Sequence, residues 1–168
     1  MKKIQDRDIR LTSIIVGILA TIMILFPVLV LKDSETSFTG LEVAFGHEFA
    51  SLGSWASGEI AFNPIVLLAF ILPLAGSAVL MFTNKGHLLS TILFGAAAIL
   101  IFMIPQFTTV SITILGNVNS IDVDWTYGVG LIFAASLSVF GVLLGLFKSY
   151  KKAWNPWKSQ YLSLAFSF

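Results

Sequence analysis

Four long stretches of the chain contain no charged residue, and each is long enough to cross a lipid bilayer. The stretches are residues 11–31, 64–83, 88–104 and 127–147. A helix of about 20 residues spans the hydrocarbon core of a bilayer, which is about 30 Å thick. Hydrophobic residues make up 57% of the chain and charged residues only 11%, so a fold in water would expose apolar surface that it could not cover. The sequence therefore predicts an all-α integral membrane fold, an antiparallel four-helix transmembrane bundle.

A polar, basic segment, residues 1–10, precedes the first stretch. A cleavable signal peptide is the competing interpretation of a basic start followed by an apolar run. The run 11–31 is longer than the apolar region of such a peptide, and no small-residue cleavage site follows it. We therefore expect an uncleaved first span, one membrane domain over 1–147, and a juxtamembrane tail over 148–168.

The basic residues are distributed very unevenly between the connections. Nine of the ten lie before the first span, between the second and third spans, or after the fourth, and Lys32 is the exception. Connections rich in Lys and Arg remain in the cytoplasm. Both termini are thus predicted to be cytoplasmic, with outer loops 32–63 and 105–126. We expect the plasma membrane of a bacterium.

Both outer loops contain alternating apolar and polar residues, which is the pattern of a half-buried strand. In the second loop this alternation lies on both sides of a Gly- and Asn-rich turn, 116–120, and predicts a β-hairpin. In the first loop, residues 41–45 and 58–62 predict two more strands. A lone hairpin is marginally stable in water. We therefore expect the strands to join into one small extracytoplasmic β cap over the helix ends.

This layout resembles that of claudins and other tetraspan proteins, which have both termini inside, a long first outer loop and a sheet-like outer cap. The claudin Trp-Gly-Leu-Trp motif and its paired cysteines are absent: Trp55 stands alone in GSWAS, and the chain has no cysteine. The resemblance implies an architecture and transfers no functional residue.

Four prolines lie in or beside the predicted spans, and Pro64 starts the second of them. Pro27 and Pro73 fall inside spans and should kink them, whereas Pro105 should close the third span. Broken helices often line transport sites. This motivates one functional hypothesis, a homo-oligomeric channel or carrier for a small or lipophilic solute.

A stripe of small residues follows one face of the fourth span at helical spacing. Its members are Gly130, Ala134, Ser138, Gly141 and Gly145. Small side chains let helix backbones approach closely. The stripe predicts either packing within the bundle, the commoner use of such a seam, or a docking face for another subunit.

The polar outer loops supply the candidates for a binding surface. They are Glu42, His47, Glu48, Trp55, Glu59, Asp122 and Asp124. The sequence HEFAS lacks the second histidine of HExxH, which excludes the metalloprotease motif. A divalent cation site is a minor alternative, because exposed carboxylates are usually just solvated. We predict no metal, no cofactor, no catalytic residue and no nucleic-acid partner.

The tail combines basic, aromatic and apolar residues. Its candidate interface residues are Trp154, Trp157, Leu162, Leu164, Phe166 and Phe168. The tryptophans and neighbouring lysines are typical of a juxtamembrane anchor. The alternation at its end predicts either a strand that docks on a partner or a segment lying on the bilayer.

No Asp, Glu, Lys, Arg or His lies within a predicted span, although proton relays and ion pathways usually require such groups. We therefore expect a non-enzymatic accessory or assembly subunit of a larger membrane complex, in contact with lipid and with a membrane-protein partner. The solute channel or carrier remains the alternative, and a receptor-like binder using the first loop is a third hypothesis.

Overall fold

A computed structural model describes residues 6–32, 36–51, 53, 55–83, 86–121 and 123–165, with side chains between residues 7 and 150. Four long apolar helices are confirmed, and a fifth, short helix lies in the first loop. In chain order the helices are α1 (Asp6–Ile22, followed by a 3-10 turn at Met23–Leu25), α2 (Gly40–Phe45), α3 (Pro64–Phe82), α4 (His87–Phe107) and α5 (Val129–Ala165).

The four long helices form a ring in which α1 and α4 each pack against both α3 and α5. Thr21, near the end of α1, donates a hydrogen bond of 2.9 Å to the carbonyl of Phe70, in the first half of α3. Arg10, near the start of α1, donates to the carbonyl of Met81 near the end of α3. The two helices are therefore antiparallel, and the short link between α3 and α4 makes that pair antiparallel as well.

The space between the helices is filled by large apolar side chains. Phe70, Phe94 and Ile101 are fully buried there. Hydroxyl groups on the helices bond to carbonyls of their own helix, as expected for Ser and Thr in a span. Thr91, for example, donates to His87, and Ser138 donates to Ala134, each at 2.8 Å.

Seven strands form a cap at the end of the bundle where α1 and α4 finish and α3 and α5 begin. They are β1 (Pro27–Leu31), β2 (Ser37–Thr39), β3 (His47–Ser51), β4 (Ala56–Ile60), β5 (Val110–Ile114), β6 (Asn117–Ile121) and β7 (Trp125–Tyr127). The predicted single sheet is wrong, because there are two: a three-stranded sheet in the order β2-β1-β7 and a four-stranded sheet in the order β3-β4-β5-β6. All pairings are antiparallel.

The first span is shorter than predicted, because residues 27–31 form strand β1 instead of helix. Pro27 lacks the N–H that the next helical turn would need, so the helix ends in the 3-10 turn just before it. The proline therefore starts a strand and does not kink a helix. Val28 and Leu29 are fully buried between β2 and β7.

The strand predicted at 41–45 is also wrong, since these residues form α2. Thr39 caps the helix: its hydroxyl accepts from the backbone N–H of Glu42, and the Glu42 carboxylate accepts from the backbone N–H of Thr39. This reciprocal capping box stabilises a helical turn. Its signature, Thr-x-x-Glu, is visible in the sequence. This signature favours a helix more strongly than the short alternation at residues 41–45 favours a strand.

The hairpin in the second loop is confirmed, with a tighter turn than the predicted 116–120. Ile114 pairs with Asn117, so the turn consists of Leu115 and Gly116 alone. Both have positive φ, 49° and 82°, as in a type I′ turn. The alternation around Trp125 belongs to β7, which joins the other sheet.

The remaining differences concern helix ends. The third span continues past Pro105 to Phe107, where α4 ends. Pro73 lies inside α3, as predicted. α5 extends through most of the tail to Ala165, so the predicted terminal strand is wrong as far as the described residues reach. The helix continues across Pro156, which supplies no N–H to it, and helix propensity alone does not account for this extension.

Candidate interaction surface

The four-stranded sheet has one mainly apolar face and one polar face, because side chains alternate along each strand. The pairing aligns Ile60, Val110 and Ile121 on the apolar face. The polar face carries Ser111 and Ser120, together with a carboxylate pair in which Glu48 lies directly opposite Glu59 on the neighbouring strand. Like charges in this position repel each other.

An aromatic cluster around Phe38 connects the two sheets. Phe38 is 3% exposed, and its ring meets the rings of His47, Phe49 and Trp125 edge-on, with centroids 6.2, 5.7 and 5.9 Å away. Edge-to-face pairs at this distance are favourable. Since Phe38 lies on β2 and Phe49 on β3, the cluster fixes the four-stranded sheet to the remainder of the cap.

Glu42 is committed to the capping box described above. The pKa of Glu42 is lowered, mainly by the hydrogen bond that its carboxylate accepts from the Thr39 backbone N–H. Partial burial acts in the opposite direction, whereas the Thr39 hydroxyl and His47 lower the pKa further. The His47 Nε2 lies 4.0 Å from a Glu42 carboxylate oxygen. Both residues thus have local structural partners.

The far end of the four-stranded sheet is apolar and exposed. We call this end the distal tip; it consists of Trp55, Ile114, Leu115 and Val118, of which Ile114 and Val118 lie on opposite faces of the sheet. Their exposed fractions are 70%, 51%, 67% and 66%. The backbone N–H of Leu115 donates to the carbonyl of Trp55 at 2.9 Å, which holds the two turns of the sheet side by side.

The two edges of the four-stranded sheet differ in how they are protected against pairing. Edge strand β3 carries an irregularity between Glu48 and Ala50 and a charged side chain, both of which discourage the addition of a strand. Edge strand β6, Asn117–Ile121, has an uninterrupted register, no charge and no proline. All five of its residues are exposed.

Among the described residues, no three His, Cys, Asp or Glu side chains come close enough to hold a metal ion. Asp122 lies outside the described residues. Asp124 forms an exposed ion pair with Lys32, with the Nζ and Oδ2 atoms 3.3 Å apart. The six predicted binding residues that the structure describes therefore do not converge. Glu42 and His47 lie at α2 and the Phe38 cluster, Glu48 and Glu59 on the polar face, Trp55 at the distal tip, and Asp124 beside Lys32.

The small-residue stripe of α5 faces neighbouring helices. A Cβ added to Gly141 would lie 2.5 Å from the ring of Phe94 on α4, and one added to Gly145 would collide with Thr91. Ala134 and Ser138 are fully buried. Gly130 faces the other neighbour, with the carbonyl of Met23 2.8 Å from a Cβ placed there. This placement supports packing within the bundle over docking of a second subunit.

The tail candidates belong to the extension of α5. The backbone of α5 includes Trp154, Trp157, Leu162 and Leu164, whereas their side chains lie outside the described part of the chain. Phe166 and Phe168 lie outside it altogether.

A lateral groove of about 250 Å³ opens on the surface between α1 and α5. It lies toward the cap end and is lined only by apolar side chains. They are Leu19, Met23, Phe26, Val129, Phe133 and Leu137. In a bilayer this groove would face lipid tails.

Sequence reasoning selected Trp55 and missed its neighbours at the distal tip. Val118 was assigned to the predicted turn 116–120, and Leu115 lay between that turn and the preceding strand. The N-G and D-G turn signals were absent, so only the Leu-Gly pair after the alternating residues 109–114 could have located the tip. Phe38 was missed because its partners come from two other strands, β3 and β7, that are distant in the chain.

Comparison of the chain with protein-family models, curated proteins and solved structures gave no match. The class of the protein therefore follows from the fold itself. Four helices are long and apolar enough to span a bilayer, and two small sheets cover one end of the bundle. These are the features of a multi-pass α-helical membrane protein with a β cap.

Proposed function

We propose that the protein is a non-enzymatic accessory or assembly subunit of a larger membrane complex, and that it contacts its partner through the four-stranded sheet. The observation that carries this proposal is the distal tip. Trp55, Leu115 and Val118 are each about two-thirds exposed, and they lie near the ends of β4 and β5 that are not connected to α3 and α4. Clustered apolar side chains on a water-facing surface are typical of a binding site.

The interior of the bundle supports the same proposal. Phe70, Phe94 and Ile101 are fully buried between the helices. The charged side chains of the described spans lie at the end opposite the cap: Arg7, Asp8 and Arg10 at the start of α1, and Lys148 near the end of the fourth span. A route for ions or protons usually needs ionisable groups along its length. The exposed apolar residues of the cap therefore support binding of a partner more strongly than the apolar interior supports transport of ions or protons.

The proposed orientation places both termini in the cytoplasm of a bacterial cell and the cap outside the plasma membrane, because the basic residues lie at the end opposite the cap. Since the chain has no cysteine, a single introduced cysteine is the only residue that a maleimide can label, and its labelling shows on which side of the membrane that position lies. Ser57→Cys, on the exposed cap, should react with a membrane-impermeant maleimide in intact cells. Ser149→Cys should react only after permeabilisation. The reverse pattern would refute the orientation.

The proposed function is tested by extraction from native membranes in a mild detergent, followed by quantitative mass spectrometry of the proteins that co-purify. We expect at least one membrane protein in stoichiometric amount. A second chain ending at Lys158 serves as a control for the tail. Loss of the partner on truncation would place the contact in the tail and not in the sheet, and absence of any partner from both samples would contradict the proposal.

A homo-oligomeric carrier for a lipophilic solute is the second candidate, and the lateral groove between α1 and α5 favours it. The groove is apolar throughout, and its volume of about 250 Å³ is slightly below the usual range of ligand pockets, roughly 300 to 1,000 Å³. Of the two kinks that first motivated this hypothesis, the one expected at Pro27 is not present, whereas Pro73 lies inside α3. Flux of a lipophilic dye into liposomes that contain only this protein would support the carrier, and a rate equal to that of empty liposomes would exclude it.

A further inference from the structure

Helix α5 continues well beyond the length that a bilayer requires. Its membrane-spanning part ends at Tyr150, and the helix continues to Ala165. At 1.5 Å per residue, a straight continuation perpendicular to the membrane would place Leu164 about 21 Å beyond Tyr150. The headgroup layer on each side of the hydrocarbon core is only about 5 to 7 Å thick. The end of such a straight helix would therefore stand in water.

The helical register of this extension places its aromatic residues on one face. Tyr150, Trp154, Trp157, Tyr161 and Leu164 follow one another at spacings of four, three, four and three residues. Such spacing keeps residues on one face of a helix. We call these five residues the aromatic face; it exists only because the tail is a helix and not a strand.

The aromatic face continues the side of α5 that is turned away from the bundle. Leu143 and Leu146 precede Tyr150 at the same helical spacing, and the three side chains are 56%, 54% and 67% exposed. Gly141 and Gly145, which pack against α4, lie on the other side of the helix. In a bilayer, lipid covers the exposed side of a span. The aromatic face is thus a direct continuation of a lipid-facing surface.

The lysines of the extension distinguish between the surfaces that could cover the aromatic face. Residues 148–165 contain four lysines, no Asp and no Glu. Lys151 and Lys158 border the aromatic face, since they lie three residues before and four residues after Trp154. Pairing with the same helix of a second copy would bring these charges together, which is unfavourable. An anionic lipid surface attracts them instead.

We propose that residues 151–165 form an amphipathic helix that lies on the membrane at the end of the bundle opposite the cap and binds anionic lipid headgroups through its lysines. Trp and Tyr of the aromatic face are then at headgroup depth, which these residues prefer. Pro156, which interrupts the backbone hydrogen bonds, is where the helix bends toward the membrane plane. This inference goes beyond the proposed accessory function and does not depend on it.

Spin labels on single introduced cysteines test the proposal in the full chain, which has no cysteine of its own. Leu164→Cys lies on the aromatic face, and Ser159→Cys lies on the opposite face of the helix. The labelled proteins are placed in nanodiscs of phosphatidylcholine, alone or mixed with phosphatidylglycerol. In the mixture, we expect the label at residue 164 to collide mainly with oxygen, which concentrates in the bilayer. The label at residue 159 should collide mainly with a neutral nickel chelate in the water.

Removal of two lysine charges tests the recognition of anionic headgroups. Lys151→Gln combined with Lys158→Gln should lower the ratio of membrane-bound to free tail roughly 25-fold, since each lysine near an anionic surface contributes about fivefold. The ratio follows from the immobilised and mobile components of the spectrum of the label at residue 164. Lys151→Arg combined with Lys158→Arg keeps both charges and should leave the ratio unchanged. All variants should keep the wild-type thermal transition, because the substitutions lie beyond the membrane-spanning part of α5.

Three outcomes would overturn the proposal. The first is a label at residue 164 that remains in water in both kinds of nanodisc. The second is equal bilayer depth with and without phosphatidylglycerol, because the lysines would then contribute nothing. The third comes from a photo-crosslinking residue at position 164 in native membranes: crosslinks to lipid support the proposal, whereas crosslinks to one protein overturn it in favour of a protein partner. Co-purification of a partner through the cap is measured independently of all three.

Discussion

Replacing Gly17 by alanine is expected to destabilise the bundle by about 2 to 3 kcal/mol, an overpacking cost. A Cβ at this position would collide with the hydroxyl of Ser77 and would lie 2.6 Å from the carbonyl oxygen of Pro73 and 2.9 Å from the ring of Phe94. The serine can rotate, but the carbonyl belongs to the backbone of α3 and can move only with its helix. Helices α1 and α3 must therefore separate.

The measurement is thermal unfolding in detergent, followed by circular dichroism or by the loss of the monodisperse peak in size-exclusion chromatography. We expect the transition to fall by roughly 5 to 10 °C. Gly95→Ala is the matched control, since its Cβ would have only one neighbour, Val142 Cγ2, at an ordinary distance of 3.8 Å. Equal transitions for the two variants would show that α1 and α3 do not approach as closely as described.

Replacing Phe38 by alanine should detach the four-stranded sheet from the remainder of the cap at a cost of about 3 to 5 kcal/mol, the usual range for a buried phenylalanine. Phe38 is 3% exposed and makes three of the ring contacts in the cap. Phe38 shares one apolar core with the helices, but all three of its ring contacts are with residues of the cap. We expect backbone amides of β3 and β4 to exchange much faster with deuterium, while those of α3 and α4 keep their protection.

Phe45→Ala is the control for this prediction. Phe45 lies on nearby α2 and is 60% exposed, so its removal should change stability by about 0.5 kcal/mol or less. Uniformly faster exchange across the cap and the bundle in Phe38→Ala would mean that the two parts unfold together. Unchanged exchange in β3 and β4 would mean that the aromatic cluster does not hold the sheet in place.

The membrane-spanning part of the fold could be predicted from the sequence because it depends on a local property. A charge-free run of sufficient length identifies a helix without knowledge of its neighbours. The same criterion fails at residues 27–31, which are as apolar as the span before them. These residues form strand β1, which pairs with β2 on one side and with β7 on the other. A short apolar run in a buried strand has the same sequence pattern as a short apolar run in a buried helix.

The cap depends on contacts between distant segments, which a sequence does not display. β1 pairs with β7, and β4 pairs with β5, so each sheet contains strands from both loops. Local alternation located β5 and a hairpin in the second loop, but it placed most of β6 in the turn and could not assign strands to sheets. At residues 40–45 the local signal itself was ambiguous, and the capping box decided it.

The candidate surface could be predicted only in part. Trp55 attracts attention as an isolated aromatic residue in a polar loop. Leu115 becomes informative only when its positive φ and its exposure are both known, and neither follows from the sequence. The carboxylates were selected for their chemistry, and the fold disperses them: Glu42 caps a helix, Asp124 pairs with Lys32, and Glu48 faces Glu59.

The most direct test of the central claim is the native mass of the complex that contains this protein after gentle extraction from its own membrane. The chain has a mass of 18.3 kDa. An accessory subunit should be found in a particle whose protein mass is not an integer multiple of that value and whose dissociation releases at least one other chain. A particle of 18.3 kDa, or of an integer multiple of it, would contradict the claim and direct attention to the carrier.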